Sequence, residues 1–179
     1  MRRFILTGAP GAGKTTILRA LAARGVAVVE EAATDVIASQ QAEGVDEPWT
    51  TPAFIDAICA VQRERQLNAG AATPQVYDRS PICTHALCRF MGFAVTDALA
   101  AEIERIISRR IYRPEVFFIR NIGFVEPSAA RRISFAASLD FERMHEESYR
   151  AFGYALIEVP AAAMHERVEA VARRIARGP

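Results

Sequence analysis

The sequence predicts an α/β fold, a three-layer sandwich in which helices cover both faces of a five-stranded parallel sheet. Segments with the patterns of strands and helices alternate along the chain, as is typical of parallel sheets covered on both faces. A glycine-rich turn joins the first strand to the first helix. The chain has 179 residues, of which 51% are hydrophobic, enough to build one sizeable core. We therefore expect a single domain over residues 1–179.

The first strand, turn and helix have the pattern of a phosphate-binding loop. A strand is predicted at Arg3–Thr7 and a helix at Thr15–Ala23, ended by Gly25. Glycines in the turn permit positive φ angles, so successive N–H groups can converge on a phosphate at the helix N-terminus. This pattern is typical of the P-loop NTPase fold. We expect the nucleotide to contact Gly8, Ala9, Pro10, Gly11, Ala12, Gly13, Lys14, Thr15 and Thr16.

Lys14 is the only lysine among the 22 basic residues of the chain, and all the others are arginines. A compact ammonium on a flexible stem reaches between phosphoryl oxygens, whereas a planar guanidinium does not fit there. We therefore expect Lys14 to neutralise the β- and γ-phosphate oxygens. Thr15 is expected to supply a hydroxyl to Mg²⁺, and Thr16 a further contact to phosphate.

Periodicity and capping residues predict the elements that follow. Val26–Val29 reads as the second strand and residues 31–43 as the second helix. Thr51 is expected to cap a third helix that carries Pro52 at its first position. The third strand is predicted at Gln75–Tyr77.

The second half of the chain continues the alternation. Ser80 and Thr96 are each expected to cap a helix. The helix after Thr96 is expected to bury one apolar face, formed by Leu99, Ile103, Ile106, Ile107 and Ile111. Strands are predicted at Glu115–Ile119 and Tyr154–Val159, and a final helix at residues 164–175.

Two carboxylates, Glu30 and Glu31, come directly after the second strand. Because the carboxyl ends of parallel strands share one edge of a sheet, at least one of them should face the transferred phosphoryl group. A carboxylate there can accept the proton of an attacking hydroxyl. The alternative is a charge that only stabilises a helix N-terminus. The residues themselves leave both assignments open.

The triplet Asp78-Arg79-Ser80 follows the third strand at the same edge. Asp78 is placed to hold Mg²⁺ through water, and Arg79 to bind phosphate. The alternative is an Asx-type turn before a capped helix.

Three arginines flank a loop-like segment after the fourth strand: Arg120, Arg131 and Arg132. A lid at about residues 120–137 that carries these side chains would exclude water from the γ-phosphoryl group and stabilise its charge during transfer. The alternative is that these arginines are exposed and solvated.

Composition argues against other classes of protein. The net charge of +1 indicates neither a nucleic-acid nor a membrane partner. The apolar run after the first residues is too short for a signal sequence, and no later segment is long enough to span a membrane, so we expect a cytoplasmic protein. The cysteines and histidines lack metal-site spacing. We expect them to be structural or surface residues: Cys59, Cys83, Cys88, His85, His145 and His165.

Four segments carry a resemblance to a known family: Gly8–Thr16, Val29–Ala33, Tyr77–Arg79 and Val159–Pro160. They resemble the small bacterial predicted ATPases grouped with the ribosylnicotinamide-kinase domain of NadR. The Asp-Arg-Ser triplet is also similar to that of deoxynucleoside kinases. The resemblance implies a nucleoside- or nucleotide-kinase-like architecture, with Glu31 rather than Glu30 as the base and Pro160 beside the adenine.

Together these patterns predict an ATP-dependent kinase that transfers the γ-phosphoryl group to a hydroxyl of a small, nucleoside-like acceptor. ATP and Mg²⁺ are the expected cofactors, and the protein is expected to be a monomer or homodimer. The alternative is a regulatory ATPase that switches with its nucleotide and has no small-molecule acceptor.

Overall fold

The computed structural model describes residues 2–122 and 134–177. Within them, five parallel strands form one sheet in the order β2-β3-β1-β4-β5. The predicted parallel sheet is therefore confirmed. The strands are β1 (Arg3–Thr7), β2 (Ala27–Val29), β3 (Gln75–Asp78), β4 (Glu115–Ile119) and β5 (Ala155–Val159).

Helices cover both faces of this sheet. Side chains alternate along β1, so that Phe4 and Leu6 pack against α1 and α7, while Ile5 packs on the opposite face against Ile82 of α4 and Tyr149 of α6. The helices are α1 (Lys14–Ala22), α2 (Ala33–Ala42), α3 (Ala53–Asn68), α4 (Pro81–Phe90), α5 (Asp97–Ser108), α6 (Phe135–Ala151) and α7 (Met164–Arg177).

Two predicted helix caps are confirmed. The Ser80 hydroxyl accepts a hydrogen bond from the Ile82 amide at 3.3 Å, and the Thr96 hydroxyl accepts one from the Leu99 amide at 3.2 Å. The third predicted cap is wrong. Thr51 is extended and caps nothing with its side chain, and Pro52 occupies the N-cap position of α3. Thr51 instead ends the short turn formed by Pro48–Thr50.

The apolar face predicted after Thr96 is only partly correct. Leu99, Ile103 and Ile106 are buried, but Ile107 is 37% exposed. The helix ends at Ser108, so Ile111 lies beyond it.

Two elements were not predicted at all. A short 3₁₀ turn covers Pro48–Thr50, and α6 occupies residues for which no element was expected. The inward face of α6 mixes polar side chains with the rings of Phe141 and Tyr149, so it lacks the continuous apolar stripe by which an amphipathic helix is recognised. These buried polar residues are Ser138, Glu142, His145 and Ser148.

The carboxyl ends of the strands meet at one edge of the sheet. Leu6 of β1 pairs with Asp78 of β3, and Thr7 pairs with Phe118 of β4. The predicted phosphate-binding loop, the Glu31 segment and the Asp78 segment all leave the sheet at this edge. None of the helices among the described residues is long and apolar enough to cross a membrane.

Candidate active site

The phosphate-binding loop needs glycine at two positions for different reasons. Gly8 has a φ of 132°, and a Cβ atom there would lie 2.2 Å from the carbonyl oxygen of Ile119. Gly13 has a φ of 88°, directly before the first residue of α1. A side chain at either position would push the loop off the end of β4 or out of the left-handed conformation. The predicted turn between strand and helix is therefore present.

Lys14 lies in this loop with its side chain buried. Its Nζ donates hydrogen bonds to the carbonyl oxygens of Gly8 at 3.0 Å and of Ala9 at 2.9 Å. Burial and, to a smaller extent, the charge of Arg79 together lower the pKa of Lys14 to about 7, although Asp78 and Glu31 act in the opposite direction. An anionic ligand would therefore both attract this ammonium and favour its charged form.

Asp78 ends β3 beside Lys14 and is only 5% exposed. Burial raises the pKa of its carboxyl, while Lys14, Arg79 and the nearby Thr15 hydroxyl partly offset that effect. Its Oδ1 is buried and has no hydrogen-bond partner. An unsatisfied carboxylate oxygen near a threonine hydroxyl suits a water ligand of Mg²⁺, so the residues present fit the metal predicted for Thr15 and Asp78.

Glu31 faces the same space as Lys14 and Asp78. Its Oε2 accepts hydrogen bonds from the hydroxyl of Thr34 at 2.6 Å and from the Thr34 amide at 3.2 Å. Its Oε1 lies 3.5 Å from Nε of Arg79. Burial alone would raise the pKa of Glu31, but Arg79 and the Thr34 bonds outweigh it and hold the pKa below its usual value. Glu31 is therefore an ionised carboxylate at neutral pH.

Arg65 of α3 holds the backbone from which Glu31 projects. Its Nη1 donates to the carbonyl oxygen of Glu30 at 2.9 Å and to that of Glu31 at 2.7 Å, and its Nη2 pairs with Asp35. The side chain of Glu30 is exposed, whereas that of Glu31 lines a cavity. Of the two carboxylates, Glu31 is therefore the one that faces the cavity, and its role as the base stays a prediction.

Arg79 has a φ of 75°, a left-handed conformation that costs energy in any residue other than glycine. Its amide donates to the carbonyl oxygen of Leu6 at 2.9 Å, which holds the backbone in that conformation. Its guanidinium is nearly buried between Glu31 and His145. Strain of this kind clusters at functional sites, consistent with a positioned phosphate ligand.

His145 was expected to be structural or on the surface, and it proves to be fully buried against Arg79. Nη1 of Arg79 lies 3.0 Å from Nε2 of His145, and Nδ1 of His145 lies 2.8 Å from the carbonyl oxygen of Phe141. A carbonyl only accepts, so Nδ1 carries the proton and Nε2 accepts from Arg79. Burial and the Arg79 charge lower the pKa of His145 well below its usual value, which keeps the ring neutral.

A cavity of about 260 Å³ opens beside these charged groups. Pro10 of the phosphate-binding loop, Glu31 and Arg79 line one end of it. Gln62 and Thr84 supply polar groups, and the Thr84 hydroxyl lies 2.9 Å from Oε1 of Gln62. The remaining wall is largely apolar and includes the aromatic side chains of Trp49, Phe54, Phe90 and Phe141.

Arg120, which was predicted to contact the nucleotide, is paired with carboxylates. Arg120 forms ion pairs with Glu142, Glu146 and Glu158, and its guanidinium lies 4.4 Å from the centroid of the Phe118 ring. In this arrangement it contacts carboxylates and not the phosphate-binding loop, and its role in nucleotide binding stays a prediction.

Pro160 is exposed just after β5, and its place beside the adenine also stays a prediction. Arg131 and Arg132, with most of the lid predicted at about 120–137, lie outside the described residues.

Several solved structures have a similar fold. Deoxyadenosine kinase from M. mycoides with bound dATP has a TM-score of 0.64 and 14% identity, over 98% of this chain and 100% of that chain. The M. mycoides enzyme with bound dCTP has a TM-score of 0.65 and 15% identity, over 99% of this chain and 100% of that chain. These likenesses confirm the predicted P-loop kinase-like architecture.

Family membership rests on a separate comparison. No curated protein matches the chain. The family model described as AAA domain matches residues 3–167, which include the phosphate-binding loop, Glu31, Asp78 and Arg79. The more specific grouping with the kinase domain of NadR stays a prediction. With nearly the whole sequence matched, the chain belongs to the AAA domain family of P-loop proteins.

Proposed function

We propose that this protein is an ATP-dependent kinase that phosphorylates a hydroxyl group of a nucleoside-like molecule. One observation carries the proposal: Glu31 and Arg79 line the same cavity as Pro10 of the phosphate-binding loop. An acceptor in that cavity would contact an ionised carboxylate and would lie next to the terminal phosphate of the nucleotide. A nucleotide switch does not need an acceptor cavity there.

The chemistry of the cavity wall supports a nucleoside-like acceptor. Aromatic side chains such as Phe54 and Phe141 suit a planar base. Because the Thr84 hydroxyl occupies Oε1 of Gln62, the Gln62 amide NH₂ is left to donate to a ring or carbonyl acceptor. The volume of 260 Å³ lies near the lower end of small-molecule pockets, which is about 300 Å³. The deoxyadenosine kinase structures with dATP and dCTP add support from a similar fold.

The residues of the site support a direct transfer. The acceptor hydroxyl oxygen forms a bond to the γ-phosphorus, Glu31 takes the hydroxyl proton, and the bond from the γ-phosphorus to the bridging oxygen breaks as ADP leaves. Lys14 and Arg79 stabilise the charge of the moving group. Thr15 and, through water, Asp78 would hold Mg²⁺, which would supply positive charge to neutralise the β- and γ-phosphates. Arg131, Arg132 and the lid at about 120–137 belong to the same proposal as further charge stabilisers.

The test is ATP consumption by the purified protein against a panel of nucleosides, deoxynucleosides, sugars and vitamins. We expect ADP release to rise with at least one nucleoside-like compound and a phosphorylated product to appear in mass spectra. The Glu31→Gln variant should lose that product, whereas the matched Glu30→Gln control should retain it. ATP hydrolysis that no acceptor stimulates would favour the regulatory ATPase instead.

A further inference from the structure

Arg167 of α7 is the most buried arginine near the phosphate-binding loop, with 1% of its surface exposed. Its Nη2 donates to the carbonyl oxygen of Arg120 at 2.9 Å. Its Nε and Nη1 are buried and have no hydrogen-bond partner. Burying two N–H donors of one cation without hydrogen-bond partners costs free energy of folding, and this cost needs a physical explanation.

The carboxylates closest to Arg167 in sequence are engaged elsewhere. Glu166 accepts a hydrogen bond from the Ala163 amide, and Glu169 pairs with Arg24. Over residues 2–122 and 134–177, no carboxylate forms an ion pair with Arg167. Burial correspondingly lowers the pKa of Arg167. Among the described residues nothing compensates this interior charge, which carries a free-energy cost in the free protein.

The guanidinium of Arg167 points at the phosphate-binding loop. A Cβ atom on Gly13 would lie 3.2 Å from Nη1 of Arg167 and 2.9 Å from Cε of Met164. Gly13 immediately precedes α1, whose N-terminal amides attract anions. A buried cation packed against the other side of that turn adds to the same positive potential, and low-dielectric surroundings screen it weakly.

We propose that Arg167 belongs to the nucleotide site as a buried counter-charge behind the phosphate-binding loop, balanced only when nucleotide phosphates occupy the loop. Arg167 acts through its charge and does not touch the phosphates, because Gly13 lies between them. Its hydrogen bond to the Arg120 carbonyl fixes the position of the guanidinium. The proposal requires nucleotide binding at the loop but not the kinase reaction.

The variant that tests this proposal is Arg167→Met, which keeps much of the volume and removes the charge. Calorimetric titration with ATP and with inorganic tripolyphosphate should show affinities about tenfold weaker for both ligands. The melting temperature of the ligand-free protein should stay the same or rise, because an unpaired buried charge has been removed. Arg167→Lys should bind both ligands within about threefold of the wild type, since the charge remains. The matched control is Arg173→Met, an exposed arginine of the same helix, and it should change neither quantity.

Three results would overturn the proposal. An Arg167→Met protein that is less stable or unfolded, yet binds ATP normally where it folds, would assign Arg167 a purely structural role. Equal losses in Arg167→Met and Arg173→Met would show an effect of net charge alone. Equal losses in Arg167→Met and Arg167→Lys would show that geometry matters and charge does not. A wild-type protein that binds ATP but phosphorylates no acceptor would end the kinase proposal and leave this one standing.

Discussion

In the proposed kinase site, the phosphate side and the acceptor side are built in opposite ways. Residues 8–16 form the phosphate side almost entirely by themselves, with backbone amides, three glycines at positive φ and one lysine. The acceptor side brings together side chains from α2, α3, α4 and α6. A contiguous loop depends little on the rest of the chain, whereas a cavity between four helices depends on how each of them packs. The phosphate side should therefore keep its function when distant residues are substituted and lose it when residues 8–16 are substituted. The acceptor side should instead lose a small part of its function on each of many substitutions.

The largest effect is expected on the phosphate side, from Lys14→Ala. Loss of two charge-assisted hydrogen bonds to phosphate, at about 2 kcal/mol each, corresponds to roughly 10³-fold weaker ATP binding. The fold should survive, because the lysine is a buried cation without a carboxylate hydrogen bond. Calorimetric titration measures the affinity, and thermal unfolding checks the fold. Unchanged ATP affinity would show that Lys14 does not bind the nucleotide.

The second-largest effect is expected at Glu31, which lies where the phosphate side meets the acceptor side. Glu31→Gln should lower kcat on the order of 10²-fold or more, because an amide cannot take the hydroxyl proton. ATP affinity should change little, since the carboxylate acts on the acceptor. Single-turnover rates separate the chemical step from binding. A loss that appears in Glu30→Gln, with full activity in Glu31→Gln, would show that the wrong carboxylate has been assigned.

Asp78→Asn tests the metal part of the phosphate side. Oδ1 of Asp78 is buried without a hydrogen-bond partner. Removing its charge should raise the Mg²⁺ concentration needed for half-maximal turnover by roughly 10- to 100-fold. Turnover at saturating Mg²⁺ should recover much of its rate, because Glu31 is untouched. If the Mg²⁺ dependence of the variant equals that of the wild type, Asp78 does not act through the metal.

A pH effect of severalfold should also arise on the phosphate side. Lys14 has a pKa of about 7 in the free protein, and bound phosphates would raise it. Between those two values binding takes up a proton, so ATP affinity should fall severalfold as pH rises from 7 to 8.5. Titrations at pH 8 in buffers with different ionisation enthalpies report the proton directly. Affinity that does not vary with pH, with no proton uptake, would mean that Lys14 is already charged in the free protein.

The smallest effect is expected on the acceptor side, from Gln62→Leu. It removes one neutral hydrogen bond to the acceptor, worth about 1 kcal/mol, so the acceptor KM should rise about fivefold. ATP affinity should not change, which distinguishes this substitution from Lys14→Ala. The control is Gln41→Leu in α2, an exposed glutamine outside the cavity. If the acceptor KM is the same in both variants, the polar part of the cavity does not recognise the acceptor.

Local patterns were sufficient for much of the fold. The alternation of strands and helices, the turn at residues 8–14 and the caps at Ser80 and Thr96 all depend on neighbours a few positions apart. Residues this close in the chain interact whatever the rest of the fold, so their geometry follows from the local sequence. The α6 helix escaped prediction because its buried face mixes polar side chains with the rings of Phe141 and Tyr149. The polar residues on that face are explained only by tertiary contacts such as that of His145 with Arg79.

The amino-acid pattern alone predicted the class of fold, the phosphate-binding loop and the edge of the sheet at which carboxylates and arginines lie. Contacts across the fold were needed to see that His145 orients Arg79 across 66 positions of the chain, and that Arg167 lies behind Gly13. The tertiary structure also decided that Arg120 contacts three carboxylates. The physical reason is that a side chain's partners across helices depend on packing of the whole core, and no short-range pattern records which distant faces will meet.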